Sequence, residues 1–583
     1  MTDDETESDS DEDDNDDNDG ASREGYNLRT RQPVDYAESA MLSLYACMAQ
    51  SDMIKPTDEP KVSAAMKSKD WPLWVKGIIE EFDTLEDNDT WEVIDYVPVG
   101  TRVLPAAVIL KVKRDANGRP VRFKARLVVR GNLQSDPVDY TELYAPVACI
   151  ELVRVLLSVA VSLGWDIELV DVKGAFLHAL LPKGDVIYVR LPKLECLGSL
   201  SGQIVKLKKS LYGLRQAPKL WYQHLSQMLS KKGFRRSMSS DCFFVADLPT
   251  GPVYLVVYVD DLLIFGSKEN VSSVKKTLAD LFTVTDLGEC KYFLGIKIDR
   301  SPNGLFLSQR AYTERLINAA GMTDAKPKRT PLPLAHKLYE KPMPTTDADK
   351  LTMRGKPYRE ILGALLYLST RTRPDIATAV SLLGKFQADP GPTQWKHLLH
   401  VVRYLIHTPE HELFIKSNNG QPRLEAYSDA DWARDESNRR SRSGYLLLIN
   451  SAPIIWSSKL QPATAQSTSE AEFAALQACV REVDWVRGML KEIGHAQRGP
   501  TTVYQDNLGT ISWTDSVQGL RKVKHVGVRY HYVRSKVEDC TVKVLYTPSL
   551  DNKADSLTKV LGPQTFENHR DYLGVVCQSL LGQ

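Results

Sequence analysis

Two short apolar runs flanking a pair of adjacent aspartates, between Tyr254 and Gly266, constrain the fold of this chain more than any other stretch. The runs YLVVYV and LLIF are too short for a buried helix, and their β-branched and aromatic residues favour two strands joined by a tight turn. The pattern predicts a hairpin with Asp260 and Asp261 at its tip. Adjacent carboxylates repel each other and resist burial, so a divalent cation such as Mg²⁺ would stabilise them. The alternative is a polar β-turn, which aspartate also favours.

The composition limits the class of protein. A chain of 583 residues that is 43% apolar can form several domains with their own cores. Residues 1–20 hold twelve acidic and no basic residues, so the rest carries 74 basic against 62 acidic residues, a balance compatible with a polyanionic partner. Eight scattered cysteines include no CxxC pair, and no apolar run approaches the ~20 residues that span a bilayer. We expect a soluble compartment and no membrane partner.

The composition and hydrophobic pattern of the chain change several times along its length. Residues 1–60 are too acidic and polar to bury a core, which predicts a disordered leader. From Trp71 onward, apolar residues at helical spacing predict an amphipathic helix whose packed face comprises Trp74, Ile78, Phe82 and Leu85. The Pro- and Lys-rich stretch 326–345 predicts a linker, and residues 346–420 are expected to be helical.

Residues 108–131 alternate apolar and basic side chains around a turn at residues 116–118, which predicts a two-stranded ribbon. The alternation places four basic residues on one face: Lys111, Lys113, Lys124 and Arg126. Such a face could bind a triphosphate or a nucleic-acid backbone. A solvated basic hairpin is the alternative interpretation.

A third carboxylate precedes the hairpin by about ninety residues. Residues 167–172 read as a strand that carries Asp171 near its end. With Asp260 and Asp261 it would complete the three acids that a two-metal phosphoryl-transfer site requires. A lone aspartate at a strand end can equally be a capping residue.

Residues 424–560 contain a second ordered series of acids. The predicted elements are a strand, a hairpin, a helix, a second strand, and a strand that runs into a terminal helix. The acids on these elements are, in order, Asp429, Glu472, Asp506 and Asp555. Glu470 is a rival to Glu472 for the helical position. Each acid considered alone could be an ordinary solvated side chain.

Several motifs together resemble the reverse transcriptase of copia-type (Pseudoviridae, Ty1/copia) LTR retrotransposon Pol proteins. They are YVDD, DVKGAFL, YGLRQAPKLWY, FKARLVVRG and DYTELYAPVA, and the likeness runs from about Trp71 to Leu561. The resemblance implies an α+β multidomain fold. A right-hand polymerase with fingers, an antiparallel palm sheet and a thumb would be followed by an α/β ribonuclease H-like domain. The implied domains are fingers and palm at 61–325, a thumb or connection region at 346–420, a ribonuclease H-like domain at 421–562 and a C-terminal tail at 563–583.

The resemblance also implies residue roles. It makes Asp171, Asp260 and Asp261 catalytic metal ligands of the palm, and Asp429, Glu472, Asp506 and Asp555 those of the ribonuclease H-like domain. Glu472 is preferred to Glu470 because the family places the ligand just before an aromatic residue and two alanines. The implied nucleotide-binding residues are Lys124, Arg126, Phe176, Tyr212, Gly213 and Gln216. Phe176 would exclude the 2′-hydroxyl of the incoming sugar, and Leu294 and Gly295 would hold the primer.

The implied activity is an RNA- and DNA-directed DNA polymerase that also hydrolyses RNA in RNA–DNA hybrids. The expected cofactor is Mg²⁺, with Mn²⁺ as a substitute, and the expected partners are RNA template, DNA primer, RNA–DNA hybrid and dNTPs. Retroelement capsid and integrase are further expected partners, and the expected location is a cytoplasmic virus-like particle or the nucleus. The stretch LRTRQPVDY resembles the tail that follows the integrase, so we expect the C-terminal piece of a Pol polyprotein that begins at its own Met. The alternative is an inactive or domesticated remnant that acts as a nucleic-acid-binding scaffold.

Overall fold

A computed structural model describes residues 58–114, 119–134, 145–336, 338, 346–418, 420–435, 438–515 and 527–578. The predicted leader, 1–60, lies almost wholly outside these residues, as does the predicted turn at 116–118. Its last residues are described and belong to the folded body, because Glu59 pairs with Lys111 at 2.6 Å and Asp58 pairs with Arg114. Within the described ranges, every helix is too short or too polar to cross a bilayer.

The strands, in chain order, are β1 (Trp91–Val93), β2 (Val103–Arg114), β3 (Pro120–Val129), β4 (Asp166–Val172), β5 (Tyr188–Arg190), β6 (Ile204–Leu207), β7 (Arg235–Arg236), β8 (Phe243–Leu248), β9 (Gly251–Tyr258), β10 (Asp261–Gly266), β11 (Val284–Glu289), β12 (Tyr292–Phe293), β13 (Ile296–Ser301), β14 (Gly304–Ser308), β15 (His411–Lys416), β16 (Leu424–Asp431), β17 (Arg442–Ile449), β18 (Ala452–Leu460), β19 (Thr501–Gln505), β20 (Val542–Tyr546) and β21 (Val575–Cys577).

The helices, in chain order, are α1 (Val62–Ala65), α2 (Trp71–Asp87), α3 (Ile150–Leu163), α4 (Ala217–Lys231), α5 (Lys268–Leu281), α6 (Arg310–Ala319), α7 (Asp347–Met353), α8 (Tyr358–Arg371), α9 (Ala377–Gly384), α10 (Pro392–His407), α11 (Thr468–Glu492), α12 (Leu508–Asp515), α13 (Gly527–Glu538) and α14 (Pro563–Tyr572).

The first sheet has the order β1-β6-β5-β2-β3 and contains the predicted ribbon as β2 and β3. Lys111 lies opposite Lys124, and Ile109 lies opposite Arg126. Directly opposite residues of an antiparallel pair share a face, so the basic side chains do lie on one side of the ribbon.

Helix α2 packs on this ribbon as its sequence predicts. Trp74 contacts Phe123 edge to face, with 4.7 Å between the ring centroids. Gly77 passes so close to the Phe123 carbonyl that a side chain at position 77 would collide with it. The small residue therefore allows the helix to lie directly on the strand.

The second sheet has the order β11-β4-β10-β9-β8-β7, and every pairing in it is antiparallel. This confirms the antiparallel sheet expected in this part of the chain. Helix α3 is buried on almost every face, because its side chains join one core with residues of the second, third and fourth sheets. Its nearly continuous apolar sequence, IELVRVLLSVAVSL, is what such a position requires.

The hairpin between β9 and β10 corrects the predicted turn by one residue. Tyr258 pairs with Asp261, so the two-residue turn is Val259-Asp260 and Asp261 begins strand β10. Asp261 is held in the ladder on both sides, by Tyr258 of β9 and by Asp171 of β4. These two neighbours fix it as a strand residue, and the turn forms one position earlier.

The third sheet, β12-β13-β14-β15-β21, corrects two predicted regions. Helices α7 to α10 lie within the region 346–420, but the end of that region forms strand β15. The predicted tail, 563–583, contains helix α14 and strand β21, and β21 pairs with β15. The physical reason is that β15 has a free edge on which the last strand can complete its hydrogen bonds.

The predicted linker, 326–345, is also only partly correct. Leu332 and Leu338 are buried in the core formed by the helices around α8 and α10. The Lys328 amide donates to the Arg403 carbonyl at 3.1 Å. The described part of this segment is therefore packed on the helices, whereas residues 339–345 lie outside the described chain.

The fourth sheet, β18-β17-β16-β19-β20, is antiparallel from β18 to β16 and parallel from β16 to β20. Helix α11 packs across β16 and β17. The element order agrees with the prediction except at Asp555, which lies in a short 3₁₀ turn, Asp555–Leu557. The turn ends where Thr558 leaves helical geometry and its hydroxyl donates to the Asp555 carbonyl at 3.0 Å.

Arg154 of α3 joins three parts of the chain. The side chain is 1% exposed, and its guanidinium donates to the carbonyls of Ile454 at 2.7 Å, Thr370 at 2.8 Å and Arg371 at 2.9 Å. The guanidinium carbon also lies 3.8 Å from the ring centroid of Trp456. Burial lowers the pKa of Arg154 to about 10. One buried side chain thus links α3, the end of α8 and strand β18.

Replacing Arg154 with methionine should lower the free energy of unfolding by about 3 kcal/mol, because one buried and two partly buried carbonyls lose their shared donor. Thermal and urea unfolding followed by circular dichroism would measure the loss. Arg359→Met is the matched control, since exposed Arg359 also donates to two carbonyls, those of Gln387 and Ala388. An equal loss in both variants would contradict the special role of Arg154.

Candidate active sites

The first site forms where β4 and β10 meet at one edge of the second sheet. Asp171 of β4 lies directly opposite Asp261, the first residue of β10. Asp260 lies in the adjoining turn, and its carbonyl accepts a hydrogen bond from the Val172 amide at 2.8 Å. The structure therefore brings together the three acids of the first predicted set.

Burial and neighbouring negative charge raise the pKa of two of these acids. Burial and the charge of Asp260 raise the pKa of Asp171. Burial, Asp260 and Asp171 together raise the pKa of Asp261 to about 6. Asp260 contributes to both shifts.

The basic face of the β2–β3 ribbon lies opposite this acidic edge. Lys124, Arg126 and Lys113 all oppose the rise in the pKa of Asp171. Burial, with the neighbouring Arg126 and Lys113, lowers the pKa of Lys124. Acids and bases therefore face one cleft, and a polyanion that carried cations of its own could neutralise both groups.

Glu81 is a member of this region that the sequence prediction missed. Its carboxylate accepts a hydrogen bond from the Leu127 amide at 3.1 Å. Burial raises its pKa, and Lys124 and Arg126 oppose that rise. The available signal was an acid adjoining Phe82 on the packed side of helix α2.

The aromatic rings of Phe176 and Tyr212 pack together beside the acids. Their rings meet edge to face with 4.7 Å between the centroids, and the Arg126 guanidinium lies 5.0 Å from the Tyr212 centroid. Burial raises the pKa of Tyr212 to about 12, and Asp260 adds to the rise. Tyr212 thus contacts two other residues predicted to bind nucleotide, Phe176 and Arg126.

The loop that carries Tyr212 and Gly213 is pressed against the end of β3. The Val129 amide donates to the Tyr212 carbonyl at 2.8 Å. Gly213 has a φ of +93°, and a side chain there would collide with the Val129 carbonyl, so only glycine fits. Gln216 follows at the start of α4 and accepts a hydrogen bond from the Gln134 amide group at 3.1 Å.

Leu294 and Gly295, the predicted primer-binding pair, form the turn between β12 and β13. Both have positive φ, +51° and +74°, and the Tyr367 hydroxyl donates to the Leu294 carbonyl at 2.9 Å. The preceding Phe293 contacts Tyr258, with 6.2 Å between ring centroids. The turn therefore lies beside the strand end that carries the acids.

The second site lies on the fourth sheet, at the end of β16. Among the described residues, Asp429, Glu472 and Asp506 form the one acidic group whose ligand atoms all lie within 4.8 Å of one another. Asp429 is fully buried, and Glu472 is 6% exposed. Carboxylate oxygens at this spacing fit a divalent cation. Three of the four acids predicted for this site are thus brought together.

The fourth acid, Asp555, reaches the same site through a lysine. Lys559 donates to Asp555 and lies 3.4 Å from the Asp429 carboxylate, which also accepts a hydrogen bond from Thr558. Burial lowers the pKa of Lys559, but Asp429 and Asp555 raise it, and the net direction is upward. The prediction missed Lys559, although a lysine four residues after Asp555 was a readable signal.

Two carboxyl groups of this site, those of Asp429 and Glu472, resist ionisation. Burial raises the pKa of Asp429, against the opposing charge of Lys559. Burial, Asp429 and Asp506 raise the pKa of Glu472. Gln505 donates to Glu472 at 3.4 Å, and Ser549 donates to Asp506 at 2.7 Å, so polar neighbours orient the acids without neutralising them.

Glu470 has a different position from Glu472. It lies in the first turn of α11, where its carboxylate accepts a hydrogen bond from the Gln466 amide at 2.7 Å. Glu472 instead faces Asp429 and Asp506. The geometry therefore favours Glu472 over its rival as the acid of the cluster.

The fold and these two acidic clusters define a two-part α+β protein with one carboxylate site in each part. Residues 88–334 match the model of a family described as reverse transcriptase (RNA-dependent DNA polymerase). The chain belongs to this family, among the Pol polyproteins of copia-type retrotransposons, which confirms the resemblance seen in the sequence.

Individual relatives extend the match over most of the chain. The retrovirus-related Pol polyprotein from transposon TNT 1-94 of Nicotiana tabacum is 36% identical over 505 residues, 86% of this chain and 38% of the relative. That from transposon RE1 of Arabidopsis thaliana is 34% identical over 90% of this chain and 36% of the relative. The putative transposon Ty5-1 protein YCL074W of Saccharomyces cerevisiae is 33% identical over 54% of this chain and 100% of the relative. The chain thus spans under two fifths of the two plant polyproteins.

The raised pKa of Glu472 predicts how the stability of the protein changes with pH. A carboxyl whose pKa is higher in the folded state binds more protons when folded, so stability falls as pH rises above the ordinary carboxyl range. In metal-free buffer the melting temperature should fall as pH rises from the ordinary carboxyl range towards the raised pKa of Glu472, about 9, and Glu472→Gln should reduce that fall because the amide does not ionise.

Glu470→Gln is the matched control for this measurement. Its carboxylate caps α11 and is not in the cluster, so the change should lower the melting temperature without altering its pH dependence. Parallel pH profiles for the wild-type chain and Glu472→Gln would contradict the electrostatic account of the second site.

Proposed function

We propose that this chain is an RNA- and DNA-directed DNA polymerase that adds dNTPs to a DNA primer and hydrolyses RNA in RNA–DNA hybrids. The observation that carries the proposal is the register that sets Asp171 opposite Asp261, with Asp260 in the adjoining turn. In a reverse transcriptase family member, an acidic edge faced by a basic ribbon is suited to phosphoryl transfer.

In this proposal, the four sheets correspond to parts of a right-hand polymerase and an appended nuclease. The first sheet and α2 would be fingers, and the second sheet would be the palm. Helices α7 to α10 with the third sheet would form the thumb and connection. The fourth sheet, with three antiparallel and two parallel strands, would be the ribonuclease H-like domain, and its strand order supports that assignment.

The polymerase residues then act on a nucleotide as follows. Asp171, Asp260 and Asp261 would hold Mg²⁺, or Mn²⁺ in its place, and bound metal would supply charge stabilisation and a more acidic primer hydroxyl. Lys124 and Arg126 would neutralise the triphosphate from the opposite face of the cleft.

The remaining residues would position the substrates. Phe176 would pack under the sugar, and the loop from Tyr212 through Gly213 to Gln216 would line the nucleotide and template pocket. The Leu294-Gly295 turn would support the primer end beside the acids, because its neighbour Phe293 contacts Tyr258 of strand β9.

The nuclease residues act on the hybrid in a parallel way. Asp429, Glu472, Asp506 and Asp555 would hold the metal that activates water for RNA hydrolysis. Lys559 forms ion pairs with both Asp429 and Asp555 and so links these two acids. All seven acids and their supporting contacts are present, which does not favour the alternative of an inactive remnant.

Further parts of the proposal concern the setting of the reaction. RNA template, DNA primer and RNA–DNA hybrid would be direct partners, and retroelement capsid and integrase would be partners within a particle. We place the activity in a cytoplasmic virus-like particle, in the nucleus or in both. These proposals extend the family relationship to the whole cycle of the element.

Two substitutions should separate the two activities. Asp260→Asn should abolish primer extension on a poly(rA)-type template with Mg²⁺ or Mn²⁺ while sparing hybrid cleavage, because it changes only the first acidic site. Asp506→Asn should do the reverse. Asp280→Asn, at an exposed position of α5, is the control and should retain both activities. Primer extension that persists in Asp260→Asn would show that the proposed polymerase mechanism is wrong.

Phe176 should control the choice of sugar. Phe176→Val shortens the side chain proposed to lie under the sugar and should raise ribonucleotide use relative to dNTP use by about tenfold or more, since steric exclusion is lost. The kcat/KM ratio for matched ribo- and deoxyribonucleotides measures this and corrects internally for any loss of folded enzyme. An unchanged ratio would remove Phe176 from the proposed role.

A further inference from the structure

The turn that carries Asp260 has an unfavourable backbone conformation. Val259 has a φ of +57°, in the left-handed region. A β-branched residue in that region is sterically disfavoured and persists only when surrounding contacts hold it. Since Val259 immediately precedes Asp260, whatever holds its backbone also determines where the Asp260 carboxylate lies.

Trp221 of α4 supplies such a contact. Its indole N–H donates to the Val259 carbonyl at 2.6 Å. The Trp221 side chain is 1% exposed, so water has little access to the indole donor of this hydrogen bond. The chain separation between the two residues means that the turn is fixed by tertiary structure and not by its own sequence.

The ring of Trp221 is itself fixed by neighbours from other elements. Phe282 meets it edge to face at 5.4 Å between centroids, and His178 lies at 5.9 Å. His178 ends the short 3₁₀ turn Ala175–His178, which also carries Phe176. Trp221 therefore contacts the acidic turn and the segment of the proposed sugar-binding residue at once.

We propose that Trp221 is a positioning residue for the polymerase site: its indole holds the left-handed Val259 carbonyl and thereby sets the Asp260 carboxylate for catalysis. The catalytic part of this inference rests on the proposed polymerase function. The structural part, which is the dependence of the turn on the indole N–H, does not. Trp221 lies one helical turn after the Tyr212–Gln216 loop, so it also ties that loop to the acids.

Amide hydrogen exchange on the purified full chain tests the structural part. Trp221→Phe removes the donor and keeps an aromatic ring. It should speed exchange in peptides covering residues 254–266 and 167–174, because the Val172 amide is protected by the Asp260 carbonyl. Trp485→Phe is the matched control, since buried Trp485 also donates its indole N–H to a backbone carbonyl, that of Ser239. The control should leave those two peptides unchanged.

Primer-extension kinetics test the catalytic part. Loss of one such hydrogen bond should lower kcat by about fivefold while the KM for dNTP stays within about twofold, because the acids move and the nucleotide pocket does not. In the Val259→Gly background the same Trp221→Phe change should cost less than about twofold, since glycine adopts positive φ without strain.

Each outcome decides the inference. Unchanged exchange at the turn, or an equal kinetic loss with and without Val259→Gly, would overturn it and leave Trp221 as a core residue. If Trp221→Phe does not fold, benzothienylalanine at position 221 keeps the shape and removes the N–H, and the same criteria apply. If the wild-type chain extends no primer, the proposed polymerase function fails, and the exchange result still decides whether the indole fixes the turn.

Discussion

Repulsion between clustered carboxylates is the constraint on which both sites depend. At the first site, Asp171 and Asp261 are direct cross-strand partners, an arrangement that is destabilising for like charges. The fold maintains it by strand pairing on both sides of β10 and by facing the acids with Lys124 and Arg126. At the second site the acids are more buried, and Lys559 is placed among them as an internal cation. Added positive charge would therefore stabilise both sites, and a divalent metal would supply it.

The two sites are built on one continuous body. Helix α3 is apolar on nearly every face because it is shared between the second, third and fourth sheets. Arg154 is the one buried charged residue of this helix, and its guanidinium donates hydrogen bonds to carbonyls in two other parts of the chain. Glu492 of α11 also accepts hydrogen bonds from Ser237 and from the Met238 amide. These hydrogen bonds join remote parts of the chain in one geometry and so help to fix how the two parts of the protein meet.

Local sequence patterns predicted most elements well where the pattern was long. The helix from Trp71, the β2–β3 ribbon and the antiparallel hairpin all form, because each buries one face at a regular period. Prediction was weaker where a distant neighbour decides the structure. The supposed tail became β21 because β15 offered a free edge, and the supposed linker is packed because Leu332 and Leu338 have a helical core to enter. Neither partner could be read from the local sequence.

The sequence by itself determined the candidates for the chemistry: the seven acids, the basic strand positions and the glycine at position 213 can be read without coordinates. Tertiary structure alone decided how they meet. It places the turn at Val259-Asp260 and Asp171 opposite Asp261. It brings Glu472 rather than Glu470 into the acidic cluster. It also makes Lys559 and Trp221 neighbours of the acids. The physical reason is that charge repulsion and backbone strain at these positions are offset by groups from remote parts of the chain, so only the assembled fold can hold them.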